Sequence, residues 1–289
     1  MGGSRYALRL IFRPGLPVTL EPMARKRTQQ QSSWWEPIDV PPGQHLRCTI
    51  GTLALDIGHD HDEWTLASRS IEEDLAGKEP EFKLHKGPAE EVAERFVYAA
   101  DSNRLQLSAL LADRSVVIRP RQPLFLLSGQ AVTLYLSTPI WLQVLVGDPP
   151  VLLKELPVLR LSDTWFGPNT REGELCYAGR THARHQLDDL PERPHRAITP
   201  LTIHNKAASP LSLEKVSLPV PMLALYGDAS GKLWTQAVTL TREGQTDLAT
   251  VKIDSKLPHA GTELTRLAAP RQEQGRSGVT RAFSLLFGS

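Results

Sequence analysis

Residues 122–150 read QPLFLLSGQAVTLYLSTPIWLQVLVGDPP, and the fold class turns on this stretch. Three short apolar runs, 124–127, 131–136 and 140–146, are parted by Ser128-Gly129-Gln130 and Ser137-Thr138-Pro139. Gly147-Asp148-Pro149-Pro150 then breaks the chain. A spanning helix needs about 20 consecutive apolar residues, and Pro123, Gly129, Thr133, Pro139 and Gln143 interrupt this run, so no membrane span is expected. The runs have the length of strands. The intervals between them leave no room for the crossover helices that parallel strands require. A mainly antiparallel sheet is therefore expected.

The same texture extends in both directions. Upstream, 46–57 places Ile50, Leu53, Leu55 and Ile57 among small and polar residues. Trp64 and Leu66 share a face of 63–68, Leu105, Leu107 and Ala109 alternate, and the β-branched run 115–119 ends at Pro120. Downstream, 173–184, 198–205, 211–218, 222–226, 233–240 and 248–253 also read as strands. Asp228-Ala229-Ser230-Gly231 has hairpin-turn chemistry between Tyr226 and Leu233. One stretch differs. Acids outnumber bases across 70–95, with breakers Gly77, Pro80, Gly87 and Pro88, and the residues from Ala89 to Arg95 suit a short helix in a solvated excursion. Many short strands with Gly/Pro turns point to an all-β, sandwich or barrel-like architecture with little helix.

Four segments follow: a flexible N-terminal extension (1–33), a β-rich lobe (34–150) with the acidic insertion, a second β-rich lobe (151–257), and a mixed or mobile C-terminal segment (258–289). The 289 residues carry 33 Lys+Arg against 32 Asp+Glu, a formal net charge of +1, which argues against a dedicated nucleic-acid binder. Two cysteines, Cys48 and Cys176, supply neither a disulfide framework nor a four-thiolate zinc site. Arg13 and Pro14 cut short the only apolar stretch near the N-terminus, which lacks the form of a secretory signal. A cytoplasmic protein with reduced thiols is expected.

The most distinctive run is Ser162-Asp163-Thr164-Trp165-Phe166-Gly167-Pro168, followed by Gly173-Glu174-Leu175-Cys176-Tyr177-Ala178 and Arg180. With Pro200-Leu201-Thr202-Ile203-His204-Asn205 and Leu218-Pro219-Val220-Pro221, it resembles domain-of-unknown-function family 432 of bacteria and archaea, from about Trp34 to Ile253. The resemblance implies no particular activity. It implies a loose association of the bacterial members with genes for mechanosensitive channels.

Three constellations are candidates for chemistry. Trp165 and Phe166, locked by the Gly167-Pro168 turn, read either as a buried plug at the end of a sandwich or as an aromatic platform for a sugar or peptide. His59 and His61, alternate residues of His59-Asp60-His61-Asp62-Glu63, are weak metal candidates, and the same string reads as a polar hairpin turn. Arg180, His182 and Arg184 alternate on one predicted strand, and a cationic stripe there suits an anionic group or an acidic partner, with Arg119 and Arg121 adding to it if their strand is a neighbour. The other reading is a solvated face with cross-strand ion pairs. No CxxC, HExxH, P-loop, GxGxxG or GxSxG pattern occurs, so no catalytic residue and no cofactor are assigned. The leading expectation is a non-enzymatic β-sheet module binding a protein partner or a small anionic or carbohydrate ligand through Trp165, Arg180, His182 and Arg184. Two alternatives stand beside it. One is an enzyme of unrecognised type on an anionic or sugar substrate, with Asp163, Glu172 and Glu174 as suspects. The other is a soluble accessory of a membrane channel.

Overall fold

A computed structural model describes residues 34–71, 79–87, 89, 94–98, 102–120, 122–244, 248–254, 263–273 and 278–283. Strand accounts for 59 % of the structure, and the helical pieces among the described residues are single 3-10 turns at Leu187–Asp189 and Val220–Met222. The all-β expectation holds, and the pairing is mainly antiparallel. Among the described residues no helix is long and apolar enough to cross a membrane.

Alternation writes the first sheet. In β2 (Gln44–Ile50), Leu46, Cys48 and Ile50 are buried while Arg47 and Thr49 are part-exposed. Strand β2 lies between β5 (Glu81–Lys86) and β3 (Leu53–Asp60), and the order continues to β4 (Glu63–Ser70) and β6 (Glu94–Val97). The helix expected from Ala89 to Arg95 is not what forms at its end. Glu94 and Arg95 belong to β6, where Trp64 pairs with Phe96 and Arg95 reaches Glu63, and 90–93 lie outside the described residues. Of the described charges, Arg95 lies on the exposed face of this edge strand, paired with Glu63, and Glu94 points to the other face, where it pairs with Lys154.

The second sheet orders β1 (Ile38–Asp39), β7 (Arg104–Leu110), β11 (Trp141–Val146) and β12 (Val151–Pro157). The largest runs β22 (Leu264–Ala268), β18 (Leu225–Asp228), β19 (Leu233–Thr235), β15 (Arg196–Asn205), β20 (Val238–Arg242), β21 (Leu248–Ile253) and β23 (Gly278–Arg281), with β10 (Ala131–Pro139) on β15. A ribbon pairs β9 (Leu124–Leu126) with β16 (Leu211–Leu213). The last sheet orders β13 (Ser162–Phe166), β14 (Glu174–Ala183), β8 (Val116–Pro120) and β17 (Val216–Leu218). Strands from either side of residue 150 therefore share sheets, as β10 does with β15 and β8 with β14. The described residues cluster into one compact unit.

Among the described residues three pairings are parallel: β14 with β8, β15 with β19, and β15 with β20. Each joins strands separated by other strands in the chain. The crossover is made of β structure rather than of helix, a route that short intervals between neighbours do not forbid. One apolar core runs through the sheets, from Leu46 and Trp64 to Leu240 and Phe283, and a small second cluster holds Val117, Phe166 and Cys176.

Candidate functional site

The distinctive run folds into the β13–β14 hairpin, at the edge of its sheet. Successive residues of a strand point to opposite faces, so Trp165 and Phe166 cannot both be buried on one side. Phe166 is 4 % exposed and packs with Cys176 and Val117, whereas Trp165 is 47 % exposed. The plug of two aromatics is thereby corrected: Phe166 is the anchor and Trp165 faces solvent. Directly across from Trp165 lies Leu175, at 48 % exposure, so the two form an apolar cross-strand pair.

Trp165 is nevertheless held in place. Its Nε1 donates to the Asn169 carbonyl at 2.7 Å, and Asn169 Oδ1 accepts from the Arg171 and Glu172 amides at 2.8 and 2.9 Å, which ties the connecting loop to the ring. Gly173 completes the seat. A Cβ there would stand 2.8 Å from the Trp165 ring and 2.7 Å from the Phe166 carbonyl, so a larger residue would push the indole away.

Two positions along β14, Tyr177 turns the same face polar. Its hydroxyl donates to Asp113 Oδ1 at 2.9 Å, its ring packs on Trp141 at 5.2 Å, and the Arg114 guanidinium lies 5.1 Å above its centroid. Arg114 also donates to Asp163 Oδ1 at 3.0 Å and approaches Asp113 at 3.8 Å. Burial, followed by the bond to Asp113, raises the Tyr177 pKa above its ordinary value. On the opposite face, Glu174 accepts from Ser217 Oγ at 3.2 Å. Cys176 beside it is fully buried, and burial, then the Glu174 charge, pushes its thiol up to about 12. At the end of this sheet a cleft of about 170 Å³ is lined by Asp113, Arg114, Glu174, Leu175 and Met222, among others. It joins carboxylates, one guanidinium and apolar walls next to the Trp165–Leu175 pair.

The remaining candidates are placed as follows. Arg180 and His182 belong to β14, and His182 is the register partner of Arg119 on the parallel strand β8, so Arg119 is the neighbour the stripe anticipated. The side chains of Arg180 and His182, and all of Arg121, lie outside the described residues. A register shift between Ala178 and His182 interrupts the regular alternation from which the stripe was argued. Arg184 lies just past the end of β14, bridged through its backbone to Tyr135, and the Nε of its half-buried side chain has no partner among the described residues. His59 and His61 do not converge. His59 is buried, with Nδ1 donating to the Val40 carbonyl at 2.7 Å and its ring stacked on Trp64 at 4.1 Å, while His61 sits exposed in the β3–β4 turn. Among the described residues no group of three or more His, Cys, Asp or Glu is arranged to hold a metal. Of the suspected carboxylates, Asp163 and Glu174 lie on opposite faces of the hairpin, and Glu172 is exposed in its loop.

Asp113 and Arg114 escaped the reading of the sequence. They sit 64 and 49 residues from their partners Tyr177 and Asp163, and no spacing links them. No curated protein and no solved structure matches the chain. A family model described as "Protein of unknown function (DUF432)" matches residues 34–287, which takes in the hairpin, the cleft and the sheets that carry them. The chain belongs to the DUF432 family.

Proposed function

We propose that this protein is a non-enzymatic β-sheet module that binds a partner protein through the face of the β13–β14 hairpin carrying Trp165 and Leu175. The observation behind this reading is the Trp165 side chain, which is bonded at its nitrogen and seated on Gly173, yet half open to solvent beside a second exposed apolar residue. A fixed aromatic loses little conformational freedom on binding, which is why such residues dominate the energetics of interfaces. The adjoining cleft offers hydrogen-bonding groups around that apolar centre. Arg180, His182 and Arg184 join this reading by position, since the first two continue β14 and the third follows it.

Neither the two thiols nor the buried His195 supports covalent chemistry at those residues. Both thiols are buried and pushed up to about 12, far from the thiolate that nucleophilic catalysis needs. His195, pushed down to about 4, is 1 % exposed and has no access to a substrate. The test is a displayed library of random peptides selected against the full chain and against Trp165→Ser. Sequences enriched on the parent and lost on a variant with unchanged melting temperature are expected. Equal enrichment on both proteins would overturn the proposal.

A further inference from the structure

Edge strands present unpaired backbone groups, and proteins block them with charged side chains, Lys above all, with Pro, with bulges or with very short length. Most described edges of this chain follow that rule. Strand β5 carries Lys83, β6 Arg95, β12 Lys154, β22 Arg266, and β10 Pro139. The edges β1, β9, β16 and β17 are two or three residues long. Strand β13 has no Lys, Arg or Pro, and its one charge, Asp163, is paired with Arg114. It is five residues, reads Ser-Asp-Thr-Trp-Phe, and pairs with β14 without a register shift. Among the described residues its outer backbone makes no bond to other backbone groups.

Resting on the reading above, we propose that the outer edge of β13 takes an extended segment of the partner as an added strand, with a basic side chain against Asp163 and an apolar one against Trp165. Asp163 and Trp165 are two residues apart and share a face, so the same-face residues of an incoming strand fall beside them. The Asp163 carboxylate is 61 % exposed, and Arg114 engages its Oδ1. On this face Asp113 and Asp163 share the single guanidinium of Arg114, which leaves one net negative charge among the described residues there. The complementary segment has a Lys or Arg two residues from an apolar residue. In a parallel, in-register pairing a second copy of β13 would set Asp163 beside Asp163, a like-charge contact that disfavours self-pairing in that register.

The probe is the acetylated, amidated heptapeptide Thr-Ile-Thr-Lys-Thr-Ile-Thr, which offers the pattern in either strand direction. It is titrated against the full chain by fluorescence anisotropy, beside a version with Glu in place of Lys. Two further versions carry methyl groups on alternate backbone amides, one in each frame. The lysine peptide is expected to bind about tenfold tighter than the glutamate one at low salt, the size of one exposed attraction gained and one repulsion removed. The gap should narrow in high salt, and Asp163→Asn should cut it to about threefold or less. Methylation in one frame should abolish binding and in the other be tolerated, because a strand pairs through every second residue. Equal binding of the lysine and glutamate peptides, equal tolerance of both methylation frames, or no binding of the lysine peptide would overturn the added-strand proposal. If binding is lost in Trp165→Ser but shows neither charge nor frame dependence, the hairpin remains the binding face and only the strand model falls. Sedimentation of the chain alone showing a dimer that Asp163→Lys strengthens would transfer the edge to a second copy.

Discussion

Replacing His195 with Asn is expected to make the fold less sensitive to acid. The imidazole is buried against Gly51, whose φ of +57° and missing side chain make room for it: a Cβ at Gly51 would stand 2.5 Å from the ring. Nδ1 has no partner among the described residues. Burial, followed by the charges of Arg196 and Arg193, lowers the His195 pKa from 6.5 to about 4. The unfolded chain therefore takes up a proton near pH 6.5 that the folded chain refuses until about pH 4. Stability is fully present above the unfolded value and declines as pH falls through it. From these two pKa values the loss is about 2 kcal/mol at pH 5 and about 3 kcal/mol at pH 4. Urea denaturation of the parent and His195→Asn at pH 7.5 and pH 5 isolates this one group, because the two proteins differ at no other residue. The variant will be weaker at pH 7.5, since it loses a packed ring, but its further loss on acidification should be about 2 kcal/mol smaller than the parent's. An equal loss in both proteins would refute the assignment.

Three further outcomes follow from the packing. Phe166→Ala should cost about 3 kcal/mol by emptying the small cluster with Val117 and Cys176, whereas Trp165→Ser should cost about 1 kcal/mol or less; chemical denaturation separates the two. Gly51→Ala should lower stability by at least about 2 kcal/mol, because it combines a left-handed backbone with a collision against His195, as thermal melting would show. Cys48 and Cys176 should resist a thiol reagent at pH 8 until the chain unfolds, since pKa values of about 12 leave about one thiolate in ten thousand.

What the sequence disclosed was local. The Asp228–Gly231 turn was legible because its chemistry lies within a few consecutive residues. Gly231 takes a φ of +81°, and Asp228 accepts from the Ser230 and Lys232 amides and from Trp234 Nε1. Strands at 124–126 and 131–139 were also legible, since apolar runs between Gly and Pro leave few options. Their partners were not. Although only a few residues separate them, β9 pairs with β16 and β10 with β15, dozens of residues away. Register between distant strands is set by the shape of the shared core, which no short window contains. The candidate site divides along the same line. Trp165 stood out as a residue, but its exposure depends on which neighbour the core claims, and Phe166 is the one buried. Asp113 and Arg114 acquire meaning only when β8 is laid parallel to β14, which brings residues preceding β8 to Tyr177 and Asp163.

Amide hydrogen exchange of the full chain, with and without Thr-Ile-Thr-Lys-Thr-Ile-Thr, tests most directly whether the β13 edge is the binding surface. Strand β13 should gain protection in the presence of the peptide, spaced at every second amide, and that gain should vanish in Trp165→Ser. Unchanged exchange across Ser162–Phe166, with protection gained instead at another exposed apolar site such as Phe125 and Leu127, would contradict it.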